Sequence, residues 1–256
     1  MRKPILQGLA ATFFILGIGA APVAATPFVQ LGILLDSSAS IGETDFGTLR
    51  SGVASAFSNV LPTDGSVEVT VIRFATGADV IVAPTVIDSA LALDAVVNQI
   101  NMMAYTAGST NMPAAIDLLT AQVMTSPAFG SARLVYNMVT DGVPSLFGVP
   151  QDEQTVASRN AAIALGLDEF DAEFIGLTTE PGYEFLLERL VYPQPGHPAP
   201  PYTPGFVVPV SIENFEAAFE SKLEATVNPP PNPIPEPASL LLLGAGILGL
   251  CRRRRP

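Results

Sequence analysis

Three short groups of oxygen-bearing side chains stand in this 256-residue sequence where apolar runs give out. In GILLDSSASIG, residues 32–42, Asp36, Ser38 and Ser40 follow Leu34-Leu35; in AGSTNMPAAID, residues 107–117, Thr110 precedes a helical pattern; in NMVTDGVPS, residues 137–145, Asp141 follows Met138-Val139. Alternate side chains of a locally extended chain point the same way, so Asp36, Ser38 and Ser40 can converge while Ser37 and Ala39 face elsewhere. Carboxylate and hydroxyl oxygens suit a hard divalent cation. Each group also has an ordinary reading. Ser40 with Glu43 could form a capping box, Thr110 or Asn111 could cap the helix that Pro113 helps start, and Asp141-Gly142 could be a plain turn.

Other chemistry finds few residues. Between residues 26 and 227 there is a single His (His197), a single Lys (Lys222) and no Cys, so the usual bases and nucleophile pairs are nearly absent. Ser37 has Asp36 beside it but no His with a reason to be near. Asp45, Asp79 and Asp117 read as solvated or capping residues. The same span holds six basic and 23 acidic residues, a net charge of −17. Such a surface repels nucleic acid and anionic lipid and favours divalent cations, although solubility alone explains most of the excess.

The elements that must position the three groups alternate. Residues 28–35 are almost continuously apolar, as a strand covered on both faces should be. Phe46, Leu49, Val53, Phe57 and Leu61 then recur at helical spacing up to Pro62. Residues 67–74 read as a strand with a short partner at 79–82, followed by helices through Leu93–Met103 and Ile116–Val123. Strands at 132–139, 170–177 and 206–210 alternate with helices at 156–165, 183–190 and 212–223. This order predicts an α/β fold: a doubly wound, mainly parallel six-stranded sheet with helices on both faces and one short antiparallel edge strand. Ligands of such sheets bind beyond the carboxyl ends of the strands, where all three groups fall. The proline-rich insert at 192–204, which holds His197, reads as a spacer loop away from that edge. The loop 143–150 would rim it, with Phe147 exposed between glycine and proline as a partner contact.

The ends have a different composition. Arg2 and Lys3 precede an apolar stretch from Ile5 to Ala21 and the small residues Val23-Ala24-Ala25, so residues 1–25 are expected to be a cleaved secretory signal. Residues 26–227 then form the folded domain. NPPPNPIPEP, residues 228–237, is an extended linker. Residues 238–251 are apolar, and Arg252–Arg255 follow. Fourteen helical residues reach about 21 Å, short of a hydrocarbon core of about 30 Å, which makes a permanent span marginal. Gly244-Ala245-Gly246-Ile247-Leu248-Gly249 spells a dinucleotide fingerprint with no strand after it, and is read as small-residue packing. The only cysteine, Cys251, lies in this tail, so the domain folds without disulfides.

Pro235-Glu236-Pro237, the apolar segment and the arginine cluster together resemble the PEP-CTERM sorting tail of Gram-negative bacteria. The resemblance implies transient inner-membrane anchoring, processing by an exosortase at the Pro-Glu-Pro motif, and release to the cell surface or extracellular matrix. Residues 28–226 resemble the von Willebrand factor A-type domain in its metal-dependent adhesion version, through Asp36-Ser37-Ser38-Ala39-Ser40, Thr110 and Thr140-Asp141-Gly142. That resemblance implies a metal site in which the hydroxyls of Ser38, Ser40 and Thr110 bind Mg²⁺ (or Mn²⁺ or Ca²⁺) directly, with Asp36 and Asp141 reaching it mostly through water. Neutral hydroxyls leave the ion an appetite for one more anionic oxygen, taken from a partner carboxylate on a protein or an acidic polysaccharide. A non-catalytic binding module is therefore expected. The alternatives are a matrix component whose metal only stabilises a loop and, with the scarcity of bases against it, a metal-assisted hydrolase.

Overall fold

A computed structural model describes residues 28–200 and 202–227. The expected secretory signal at 1–25, the linker with Pro235, Glu236 and Pro237, and the apolar, arginine-rich tail at 238–256 lie outside the described residues. The chain runs β1 (Val29–Asp36), α1 (Glu43–Val60), β2 (Val67–Phe74), β3 (Ala78–Val86), α2 (Ala90–Asn101), α3 (Met112–Val123), β4 (Arg133–Thr140), β5 (Ser145–Leu146) and β6 (Val149–Pro150). It continues through α4 (Asp152–Ala164), β7 (Glu169–Ile175), α5 (Pro181–Phe185) with a π-helical turn (Leu186–Leu190), β8 (His197–Pro198), β9 (Phe206–Val210) and α6 (Phe215–Val227).

The main sheet has the order β3-β2-β1-β4-β7-β9-β8, parallel except for the antiparallel pair β2/β3. The chain winds from β1 outward through β2 and β3, then returns to β4 and winds the other way through β7 and β9. The switch point therefore lies between β1 and β4, where crossovers on opposite faces diverge and leave a crevice at the carboxyl ends. Asp36 closes β1 and Thr140 closes β4 at that crevice.

Every residue of β1 is buried because both faces are covered. Leu31, Ile33 and Leu35 join the core under α1, α2 and α6, where Phe46, Phe57, Val96 and Phe219 pack. Leu34 joins the second core, under α3, α4 and α5, with Ile116, Leu119, Tyr136 and Phe174. Gly32 is required between these layers: a Cβ there would lie 2.6 Å from Leu119 Cδ2, and Leu119 is fully buried. Gly32→Ala is expected to destabilise the domain by about 1–3 kcal/mol, the usual cost of overpacking, as measured by urea denaturation.

Two departures from the sequence reading are local. The sheet has seven strands, not six: the proline-rich insert is no plain spacer, since His197 and Pro198 add an edge strand parallel to the first residues of β9. The antiparallel strand β3 has nine residues, not four, and its pairing with β2 shifts register around Val69 to Ile72. Such an irregularity breaks the inward–outward alternation by which a strand is read.

Candidate functional site at the sheet switch point

Asp36, the last residue of β1, has no solvent exposure. Its Oδ1 accepts a hydrogen bond from the backbone N–H of Ser38 at 2.8 Å, and its Oδ2 accepts one from the Thr140 hydroxyl at 2.6 Å. The Ser38 and Ser40 hydroxyls lie 3.1 Å apart, and Ser40 Oγ donates to Asp141 Oδ1 at 2.8 Å. Four of the five residues singled out from sequence therefore share one hydrogen-bonded network spanning the ends of β1 and β4. The fifth, Thr110, is buried, and its hydroxyl makes no hydrogen bond among the described residues. Its Oγ1 lies 3.8 Å from where a Cβ at Gly142 would stand, which places it beside the Asp141-Gly142 turn.

The ordinary alternatives resolve. Gly42, with φ of 75°, precedes α1 without a side-chain cap, so Ser40 belongs to the network and not to a capping box. Asn111 is the cap of α3, its Oδ1 accepting from the N–H of Ala114 at 3.3 Å, and Thr110 is left free of that task. Asp141-Gly142 is a turn, but one whose carboxylate is engaged by Ser40. The odd-numbered side of the first loop does separate work. Ser37 Oγ lies 2.9 Å from Thr106 Oγ1 and accepts from the Thr106 N–H, while the Ala39 N–H donates to the Gly108 carbonyl at 3.0 Å. These bonds lace the first loop to the one that carries Thr110.

Among the described residues no Lys, Arg or His forms a salt bridge with Asp36 or Asp141. Burial pushes the Asp36 carboxyl up to about 7, against the hydrogen bonds from Thr140 and Ser38, and neighbouring Asp141 adds to the rise. Burial also raises Asp141, opposed by the Ser40 hydrogen bond and reinforced by Glu180 and Asp45. Asp45, to which the sequence assigned no role, thus belongs to the site's electrostatics.

A divalent ion fits this donor set in kind. Carboxylate and hydroxyl oxygens converge there, and the charge they carry is uncompensated by any Lys or Arg. A cluster of three or more His, Cys, Asp or Glu side chains able to hold a metal is absent among the described residues, so any such ion relies on hydroxyls.

The loop expected to rim the site lies against the Thr110 loop. Loop 143–150 folds into the hairpin β5/β6, with Leu146 paired to Val149. Its two turn residues, Phe147 and Gly148, have φ of 50° and 77°, the paired positive values of a type I′ hairpin turn. Such a turn favours Asn and Gly, yet it carries a phenylalanine that is 79% exposed. The Phe147 N–H donates to Ser109 Oγ at 2.9 Å and the Ser145 N–H to the Thr110 carbonyl at 2.9 Å, so the hairpin is latched to the Thr110 loop.

Sequence reasoning assigned no role to Thr140, which binds Asp36 directly; the Thr-Asp-Gly triplet was its only signal. The one histidine and the one lysine among the described residues lie elsewhere. Lys222, on the buried face of α6, sits against the Phe219 ring, and His197 pairs with Thr203 Oγ1 at 2.8 Å near the start of β9.

A doubly wound α/β domain with a carboxylate–hydroxyl cluster at its switch point defines a class of protein. Residues 31–184 match the von Willebrand factor type A domain, and the chain belongs to that family. Residues 233–255 match the PEP-CTERM protein-sorting motif, which implies export in Gram-negative bacteria. No curated protein matches the chain in sequence.

Solved structures agree on the fold. The pilus adhesin SpaC of Lactobacillus rhamnosus GG, in an open conformation, superposes with a TM-score of 0.60 at 15% identity, over 79% of this chain and 30% of its own. A von Willebrand factor type A protein from Catenulispora acidiphila gives 0.59 at 14% identity, over 79% and 43%. The manganese-loaded TRAP protein of Plasmodium vivax gives 0.53 at 17% identity, over 77% and 74%. The chain thus spans less than half the length of the first two, and at these identities the likeness is one of fold.

Proposed function

We propose that this protein is an exported, non-catalytic adhesion module that holds a divalent cation, Mg²⁺ or else Mn²⁺ or Ca²⁺, at the switch point of its sheet and engages a partner carboxylate there. Ser38, Ser40 and Thr110 supply hydroxyl oxygens to the ion, with Asp36 and Asp141 behind them. The observation that carries the reading is the network Asp36–Ser38–Ser40–Asp141, two buried or half-buried carboxylates held by neutral donors alone. When bound, the ion supplies a Lewis-acidic place for a carboxylate oxygen. Thr140 and the Ser38 amide orient Asp36, and the bonds of Ser37 and Ala39 to the Thr110 loop fix the spacing of the three loops. The sorting tail, in this reading, tethers the chain transiently to the inner membrane until an exosortase-type protease releases the domain to the surface or matrix. The manganese of the Plasmodium neighbour and the adhesin function of the Lactobacillus one support the reading by analogy of fold.

Calorimetric titration of the purified protein with MgCl₂ is expected to give one saturable site that chelator removes. A heat of dilution only, with no saturable site for Mg²⁺, Mn²⁺ or Ca²⁺, would sink the proposal. Binding of the ion with a higher melting temperature but no partner of any kind would leave only a structural role.

Phe147 gives a separate handle on the partner. An exposed aromatic in a conformation that other residues adopt more easily is the kind of strain that persists at binding sites. Phe147→Ala is expected to weaken partner binding by roughly ten- to thirtyfold, the loss for an interface anchor of about 1.4–2 kcal/mol. Its Mg²⁺ titration is expected to match wild type; equal loss of both would show that Phe147 supports the loop and not the partner.

A further inference from the structure

A groove opens beside the Asp141 loop. It is lined by Val143, Pro181 and Phe185 on its apolar side and by Asp152, Glu184 and Glu188 on its acidic side, with Arg189 at one wall, and encloses about 210 Å³. The groove adjoins the site directly, because α5 starts against the metal loop: a Cβ on Gly182 would lie 3.0 Å from the carbonyl carbon of Gly142. Arg189 is already engaged, its guanidinium reaching Asp152 at 3.3 Å and Glu153 at 2.7 Å. Glu184 and Glu188 are exposed, one helical turn apart, and neither carboxylate has a hydrogen-bonded or ionic partner among the described residues. Acidic charge continues toward the site through Glu180 and Asp45, both close enough to act on Asp141.

We infer that this groove receives a lysine or arginine side chain of the partner, close in sequence to the carboxylate that the ion engages, so that the partner is a polypeptide of mixed charge and not a polyuronate. The inference rests on the metal-dependent reading above and adds the partner's chemistry to it. A long cationic side chain satisfies both halves of the groove: its methylenes cover Val143, Pro181 and Phe185 while its charged end meets Glu184 and Glu188. The groove shows the same chemistry in miniature, with the Arg189 guanidinium 5.8 Å from the centre of the Phe185 ring. A polyuronate offers neither feature. It carries a carboxylate on every sugar and approaches a domain of net charge −17, so only one of its anions would meet the ion while the others would be repelled. The two partner classes therefore differ in the sign of their salt dependence. Attraction to a basic segment weakens as NaCl is added, whereas repulsion of a polyanion is screened and its binding strengthens.

The test uses the full chain and a displayed peptide library with one fixed aspartate and random neighbours, panned in MgCl₂ and eluted with EDTA. The eluted pool is expected to be enriched in Lys or Arg within a few positions of the aspartate. A synthetic peptide from that pool should bind roughly tenfold more weakly to Glu184→Gln/Glu188→Gln, and more weakly to wild type as NaCl rises. The double variant should titrate with Mg²⁺ as wild type does. An EDTA-eluted pool with no basic enrichment, or oligogalacturonate binding that strengthens with salt and outcompetes the peptide, overturns the inference while the metal site stands. Failure of Mg²⁺ itself to bind overturns both.

Discussion

Asp36→Asn is expected to make the chelated protein more stable than wild type at neutral pH, and to make it indifferent to Mg²⁺. The Asp36 carboxyl titrates near 7 in the folded protein against 3.8 for an ordinary aspartate, because burial penalises its charge more than Thr140 and Ser38 relieve it. At pH values below about 4 both folded and unfolded chains hold the proton, and the penalty is absent. As pH rises the unfolded chain releases its proton first, so stability falls between about pH 4 and pH 7 and levels off above. The full fall amounts to about 4 kcal/mol, or on the order of 10 °C in melting temperature for a domain of this size. Burial raises Asp141 as well, so its titration adds in the same direction.

Asparagine keeps the shape and removes the charge. Its Oδ1 can still accept from the Ser38 N–H, and its Nδ2 can donate to the Thr140 hydroxyl, which turns to accept. The variant should therefore lose the share of the slope that Asp36 contributes to thermal denaturation from pH 4 to 8 in EDTA, and keep what buried Asp141, Asp171 and Glu173 contribute. Wild type in saturating MgCl₂ should lose the Asp36 share of the slope too, because a bound cation favours the ionised form. A wild-type melting curve flat across this range, or an Asp36→Asn protein that Mg²⁺ stabilises as strongly as wild type, would remove Asp36 from the ion's surroundings.

The strand ends were legible in the sequence for a physical reason. A strand buried on both faces is mostly apolar, with isolated polar residues such as Gln30 and Asn137, so the polar residue that ends the run after Leu35 or Val139 marks a carboxyl end, and the alternation of elements brings such ends to one crevice. Contacts made by backbone or by small residues left no such mark. The β8 strand forms through bonds such as His197 N–H to the Gly205 carbonyl, at 3.1 Å, which proline-rich sequence does not advertise. The full length of β3 was hidden because its alternation fails at the register shift after Val82. Thr140 was visible as a residue but not as the partner of Asp36, a bond between positions 104 apart that depends on β1 and β4 lying side by side. The groove at α5 was equally hidden, since the contact between Gly182 and Gly142 involves no side chain at all. Pattern thus located the carboxylate and hydroxyl residues that meet at the crevice, while the residues that hold and flank them needed the fold.

Asp141→Ala should separate metal binding from folding most sharply. Asp141 is only partly buried, and its one side-chain hydrogen bond is the one from Ser40, so truncation is expected to cost about 1 kcal/mol of stability. The loss at the ion should be far larger. A carboxylate that supports a metal through water or through a ligand's hydroxyl typically contributes ten- to a hundredfold in affinity. Calorimetry should show at least that loss for Mg²⁺ with Asp141→Ala, an intermediate loss with Asp141→Asn, and circular dichroism like that of wild type for both. On the proposed function, in which the ion holds the partner, binding should fall in step with Mg²⁺ occupancy and recover when MgCl₂ is raised to saturate the variant. Phe147→Ala should show no such recovery, since its defect lies in the partner contact. Partner binding that survives Asp141→Ala at low Mg²⁺ would mean that the rim binds on its own, and the crevice between β1 and β4 would then be a structural joint.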